Sequence, residues 1–141
     1  MEFKNLNEGT VCNCIQDAKE DYQSNFALKT MKTELRIQDF NSYWEKGKRP
    51  SSNQCEEICS LKGVSVSIFN DETKEAVLEI FKSLFPLAPK YKPFLSVVKF
   101  YDKSGLVKST PIELNQYHFD FYKSDNFDFA KVELINVNEL H

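Results

Sequence analysis

The chain has 141 residues, a net charge of -3 and a pI of about 5.5, which fits one domain with an ordinary core and excludes a global basic field drawing it to nucleic acid or anionic lipid. Hydrophobic residues make up 41% and there are only 4 Gly and 5 Pro, which excludes a disordered chain. No apolar run approaches the roughly 18 residues of a spanning helix, and the opening MEFKNLNEGT lacks the apolar stretch of a signal peptide; the sequence reads as cytoplasmic.

From the N-terminus, residues 1–10 are polar and read as loose. Between Asn13 and Leu28 the apolar positions 14, 15, 18, 22 and 26 suit a helix, so residues 1–32 are expected to form an N-terminal helical extension. Thr33 to Phe40 alternates Leu35 and Ile37 against Arg36 and Gln38, a strand pattern that opens an α+β core domain over 33–141. A turn follows, broken by Gly47 and Pro50 and carrying the basic run Lys46 to Arg49, which reads as solvated.

Ser52 or Asn53 can cap a short helix containing Cys55 and Cys59, one turn apart on one face. With Cys12 and Cys14 they make four cysteines. In a reducing compartment disulfides are not expected, and the thiols read as core residues. The alternative is a zinc site through Cys12, Cys14, Cys55 and Cys59, although C-x-C is tighter than the usual zinc half-site.

Gly63 to Phe69 is the cleanest strand, with Val64, Val66 and Ile68 on one face and Ser65 and Ser67 on the other. A long helix follows, capped by Asn70, carrying the stripe Ala76, Val77, Ile80, Phe81 and Leu84 and stopped by Pro86. After a connector with Pro86, Pro89 and Pro93, Leu95 to Tyr101 and Leu106 to Thr110 read as a hairpin about Asp102 to Gly105, with Gly105 at positive φ. In an extended Tyr117 to Tyr122 segment, His118, Asp120 and Tyr122 share one face and the rings of Tyr117, Phe119 and Phe121 the other. Phe129 to Val137 alternates as a last strand. The sum is a single α+β domain, a mostly antiparallel sheet with two or three helices packed on one face.

Phosphate-loop, dinucleotide-fingerprint and nucleophile-elbow motifs are absent from the sequence. The chemistry that remains is His118 as a base or donor with Asp120 orienting it, near Tyr122 and Glu113. Residue order offers a second reading. Arg36, Ser65 and Glu133 fall in the Arg–Ser–Glu order of mono-ADP-ribosyltransferases; that resemblance implies a small nucleotide-directed enzyme with NAD stacked on Tyr and Phe.

From Leu35 onward, Asp39-Phe40 with Ser42, Glu45-x-Gly47-Lys48, Cys59 before Gly63-Val64-Ser65-Val66, Gly105-x-Val107-Lys108-x-Thr110-Pro111 and His118 followed by aromatics resemble a group of short, functionally uncharacterised bacterial proteins. Phe119 and Phe121 stand where that group has a Trp pair. The resemblance implies a bacterial toxin–antitoxin or defence setting. With the acidic charge and the many rings, it makes a small interaction or regulatory protein with a protein partner the first expectation, and a zinc-stapled binding domain the last.

Overall fold

The structure is a computed structural model and describes residues 1–84 and 92–141. Its strands are β1 (Phe26–Thr30), β2 (Val64–Ile68), β3 (Phe94–Lys99), β4 (Gly105–Ser109), β5 (His118–Lys123) and β6 (Glu133–Glu139). The helices are α1 (Cys55–Lys62) and α2 (Lys74–Leu84). The strands form one sheet in the order β4-β5-β2-β1-β3-β6, and every pairing is antiparallel. This is the α+β architecture expected. The Pro86 and Pro89 part of the connector lies outside the described residues.

Period-two alternation gives the sheet two different faces. On one, Phe26, Leu28, Val64, Val66, Val98, Val107 and Phe121 join Phe40 and Phe100 in an aromatic core. Phe100 stacks on Phe121 with centroids 3.9 Å apart, and Phe26 meets Phe119 edge-on at 5.4 Å. Among the described residues no helix covers this face; the 3-10 turns Ile37–Phe40 and Phe129–Lys131 supply Phe40 and Phe129 to it. On the opposite face, Val77, Leu78 and Phe81 of α2 pack on Ala27, Leu95 and Val97. There too, Ile58 of α1 packs with Tyr122, Leu6, Cys12 and Cys14.

α2 begins as its sequence dictates: the Asn70 Oδ1 accepts from the N–H groups of Glu72 and Thr73, and the Thr73 hydroxyl accepts from the Asn70 N–H. β2 and α1 also stand where their patterns put them, except that the N-cap of α1 is Gln54, without a side-chain cap, and not Ser52 or Asn53. Five expectations are corrected.

First, residues 13–28 are not a helix. They form turns, an antiparallel bridge from Lys19 to Val107 at the outer edge of β4, and then β1 in the middle of the sheet. β1 is buried on both faces, so Phe26, Ala27 and Leu28 run consecutively apolar and hide the strand period. Residues 1–10 are fixed as well, with Leu6 buried and the Lys62 ammonium donating to the carbonyls of Leu6 and Glu8 at 3.0 and 2.6 Å.

Second, Thr33 to Phe40 contains no strand. The Arg36 N–H donates to the Asp39 carboxylate at 2.7 Å and starts the 3-10 turn. Third, β3 and β4 do not pair. The turn between them exists, with the Ser104 N–H on the Tyr101 carbonyl at 3.0 Å, but Phe100 carries the chain across the aromatic face to the far edge of the sheet. Positive φ falls on Lys103, at 65°. Gly105 is required for space, since a Cβ there would lie 2.8 Å from the Phe121 ring and collide with the Tyr122 carbonyl.

Fourth, the cysteines are neither free core thiols nor zinc ligands. They form the disulfides Cys12–Cys55 and Cys14–Cys59. A tight turn, with the Cys14 N–H on the Cys12 carbonyl at 2.9 Å, sets two side chains together against two others one turn apart on α1. The Cα separations of 5.6 and 5.2 Å lie in the ordinary disulfide range. The last strand also shifts: residues 129–131 form a 3-10 turn and β6 runs to Glu139, with an irregularity opposite Val97 and Val98.

Candidate functional site

On the helical face, α2 covers β1 and β3 while α1 covers the end of β5 at Tyr122. Between them no described residue roofs the middle of β2 and β5, and Ser65 is exposed on a strand third from the edge of a six-stranded sheet. This opening is the candidate site. A cavity of about 200 Å³ stands on it, lined by Ala27, Lys29, Ser65, Ser67, His118, Ile80, Phe81 and Leu84 on floor and helix side, and by Tyr43, Ile112, Leu114 and Asn115 on the rim.

The rim is built by a short loop. The backbones of Ile112 and Asn115 exchange two hydrogen bonds at 3.1 and 3.0 Å, and the Asn115 amide donates to the buried Ser67 hydroxyl at 2.8 Å. The loop is thereby pinned to the floor with Ile112 and Leu114 turned out, 52% and 68% exposed. The opposite rim is Tyr43, 46% exposed, with the Lys46 and Lys48 ammonium groups 5.4 and 4.5 Å from its ring centre. The turn that carries Tyr43 is held by a reciprocal cap: the Ser42 N–H donates to the Glu45 carboxylate at 2.9 Å and the Glu45 N–H to the Ser42 hydroxyl at 3.2 Å.

His118, Asp120 and Tyr122 share this face of β5, as the alternation predicts. Across the ladder Ser67 stands opposite His118, and Ser65 opposite Asp120. Asp120 does not orient the imidazole. The His118 Nδ1 is 2.9 Å from both the Thr110 carbonyl and the Thr110 hydroxyl. A carbonyl only accepts, so a proton sits on Nδ1, which leaves Nε2 as the acceptor in the ring's neutral form.

Asp120 is 3% exposed, its Oδ1 has no hydrogen-bond partner, and burial pushes its carboxyl up to about 6 against the opposing pull of His118, Thr110 and Lys108. Gly63 makes room for it, because a Cβ at 63 would lie 2.8 Å from the Asp120 Cβ. Tyr122 is packing: its ring is buried beside the cysteines and its hydroxyl donates to the Cys59 carbonyl at 3.0 Å.

Arg36, Ser65 and Glu133 are not brought together. Arg36 heads the turn that sends Phe40 into the aromatic core, and its N–H holds the Asp39 carboxylate. Glu133 opens β6, three strand spacings from β2, which is about 14 Å. Glu113 is exposed on the rim loop. The sequence reading missed Tyr43, Ile112, Leu114 and Asn115, whose only local signal is large apolar residues in polar loops. It also missed the lysines beside them, although Lys46 lies in the basic run it set aside.

A larger cavity of about 420 Å³ lies elsewhere, among Ile37, Phe40, Glu45, Lys123, Phe127 and Phe129. The charged groups there are already engaged, Lys123 with Glu45 at 2.8 Å, the Asp125 carboxylate with the Lys4 N–H at 2.9 Å and the Asp128 carboxylate with the Ala130 N–H at 3.0 Å. Among the described residues no His, Cys, Asp and Glu side chains group so as to hold a metal ion, and no helix is long and apolar enough to cross a membrane. No protein-family model, curated protein or solved structure matches this chain.

Proposed function

We propose that the protein is a small binding module that engages a polypeptide partner through the unroofed groove on the helical face of its sheet. The observation that carries this reading is the rim: Tyr43, Ile112 and Leu114 are exposed large apolar side chains gathered around one opening. Such a patch on a small acidic protein marks an interface. The 200 Å³ cavity is smaller than the usual small-molecule pocket of roughly 300–1,000 Å³. It suits one or two apolar side chains of a partner, with Nε2 of His118 and the Ser65 hydroxyl available for its backbone or polar groups. The two disulfides favour a compartment that oxidises thiols over the cytoplasm.

The test is selection of displayed peptides on the oxidised protein, followed by binding to a variant carrying Ile112→Asp and Leu114→Asp. Both side chains are exposed, so the variant keeps its melting temperature. Selected peptides are expected to share an apolar anchor and to lose at least about ten-fold in affinity for the variant, the loss of one buried apolar side chain. Peptides that bind both proteins equally overturn the reading.

A further inference from the structure

Beside the groove, and sharing Leu28, Lys29, Tyr43 and Ser65 with it, lies a hollow of about 70 Å³. Three lysines line it from three separate parts of the chain: Lys29 of β1, Lys46 of the Tyr43 turn and Lys92 just before β3. The rest of its lining includes Asn41, Ser42, Gly63 and Ser65, and one acid, Asp39, whose carboxylate is taken by the Arg36 N–H. A chain of net charge -3 thus gathers three cations against one acid in a single hollow.

We propose that this hollow is an oxyanion subsite of the groove, taking a carboxylate or phosphate group of the bound partner segment; the proposal rests on the groove being the binding face. The hollow holds about two waters' volume, the size of one such group. Without an anion the lysines repel one another: burial first, then Lys46 and Lys29, bring the Lys92 ammonium down to about 8. With one, each ammonium gains a charge-assisted hydrogen bond. Lys29 joins the two halves of the site, its ammonium lying 5.9 Å from the centre of the Phe81 ring, which lines the apolar part. The matching segment carries an acidic group next to an apolar anchor.

Inorganic phosphate is the first probe, followed through backbone amide signals with sodium chloride at equal ionic strength as control. Saturable shifts at Lys29, Ser42, Tyr43 and Ser65 are expected, with affinity falling about ten-fold in Lys46→Gln and in Lys92→Gln, one charge-assisted bond each. Shifts identical to those with chloride, or unchanged by both substitutions, overturn the subsite. Lys46 is exposed, so its variant serves if Lys92→Gln does not fold. Peptides with Glu, phosphoserine or Gln beside the anchor separate the sources of the anion; equal binding of all three overturns the subsite as well. Phosphate binding that persists in the variant with Ile112→Asp and Leu114→Asp, while selected peptides ignore those substitutions, removes the groove reading and leaves the anion site standing.

Discussion

Breaking the paired disulfides should destabilise the protein in a non-additive way. The bridges close chain separations of 43 and 45 residues. A loop of that length, closed alone, restricts the unfolded chain by about 4 kcal/mol. The second bridge then closes only the small ring from Cys12 to Cys14 and from Cys55 to Cys59, which by the same relation adds about 2.5 kcal/mol. Removing either bridge as a Cys→Ala pair therefore costs about 2.5 kcal/mol, and removing both costs about 6.5 kcal/mol. Set against a usual stability of roughly 5–15 kcal/mol, the fully reduced chain is near or past its margin. For 141 residues the unfolding entropy is about 0.3 kcal/mol/K, so one lost bridge lowers Tm by about 8 °C. Calorimetry of the Cys12→Ala/Cys55→Ala, Cys14→Ala/Cys59→Ala and quadruple variants measures this, with mass spectrometry counting free thiols in the parent. Four free thiols in the parent, or a Tm indifferent to reductant, would refute the reasoning.

Asp120 supplies a prediction with a definite sign. Its folded carboxyl is raised to about 6 by burial, above the unfolded value, so the unfolded chain ionises first and stability falls as pH rises from about 4 to 6. Asp120→Asn should remove that loss, on the order of 3 kcal/mol at pH 7 and vanishing below pH 4, in urea unfolding at several pH values. The difference between variant and parent is the quantity to read, because Glu45 acts in the opposite sense: burial opposes its ionisation, but Lys123 and Ser42 outweigh burial and hold it below the usual range. A variant equally or less stable at pH 7 would contradict a buried carboxylate whose Oδ1 has no partner. Gly105→Ala is expected to lose about 3 kcal/mol through the collision with the Tyr122 carbonyl and the Phe121 ring. A variant within 0.5 kcal/mol of the parent, roughly the range of an ordinary surface change, would show that the edge strand yields there.

Much of the scaffold was legible locally. β2 alternates because one face meets the aromatic core and the other the groove, and α2 announces itself through the Asn70 cap and one apolar stripe. The face shared by His118 and Asp120 was legible for the same reason. What failed was non-local. Asp102 to Gly105 does turn, but which strands it joins depends on Phe100 stacking on Phe121, a contact no local pattern encodes. β1 was hidden because a central strand buried on both sides loses its alternation. The cysteines were judged by compartment when the spacing itself, a tight turn against one turn of helix, was compatible with pairing. The groove was invisible for a different reason: it is a gap between two helices, defined by what they leave uncovered.

The most direct test of the binding face compares two equally exposed apolar positions in cells that make the protein naturally. Leu114, on the rim, is 68% exposed, and Ile37, on the separate 420 Å³ cavity, is 64% exposed. With a photo-crosslinking amino acid at each, the account predicts a discrete polypeptide adduct from position 114 that is absent from 37 and disappears when Ile112 and Tyr43 are changed to Asp. Adducts of equal yield at both positions, or none at 114, would contradict it.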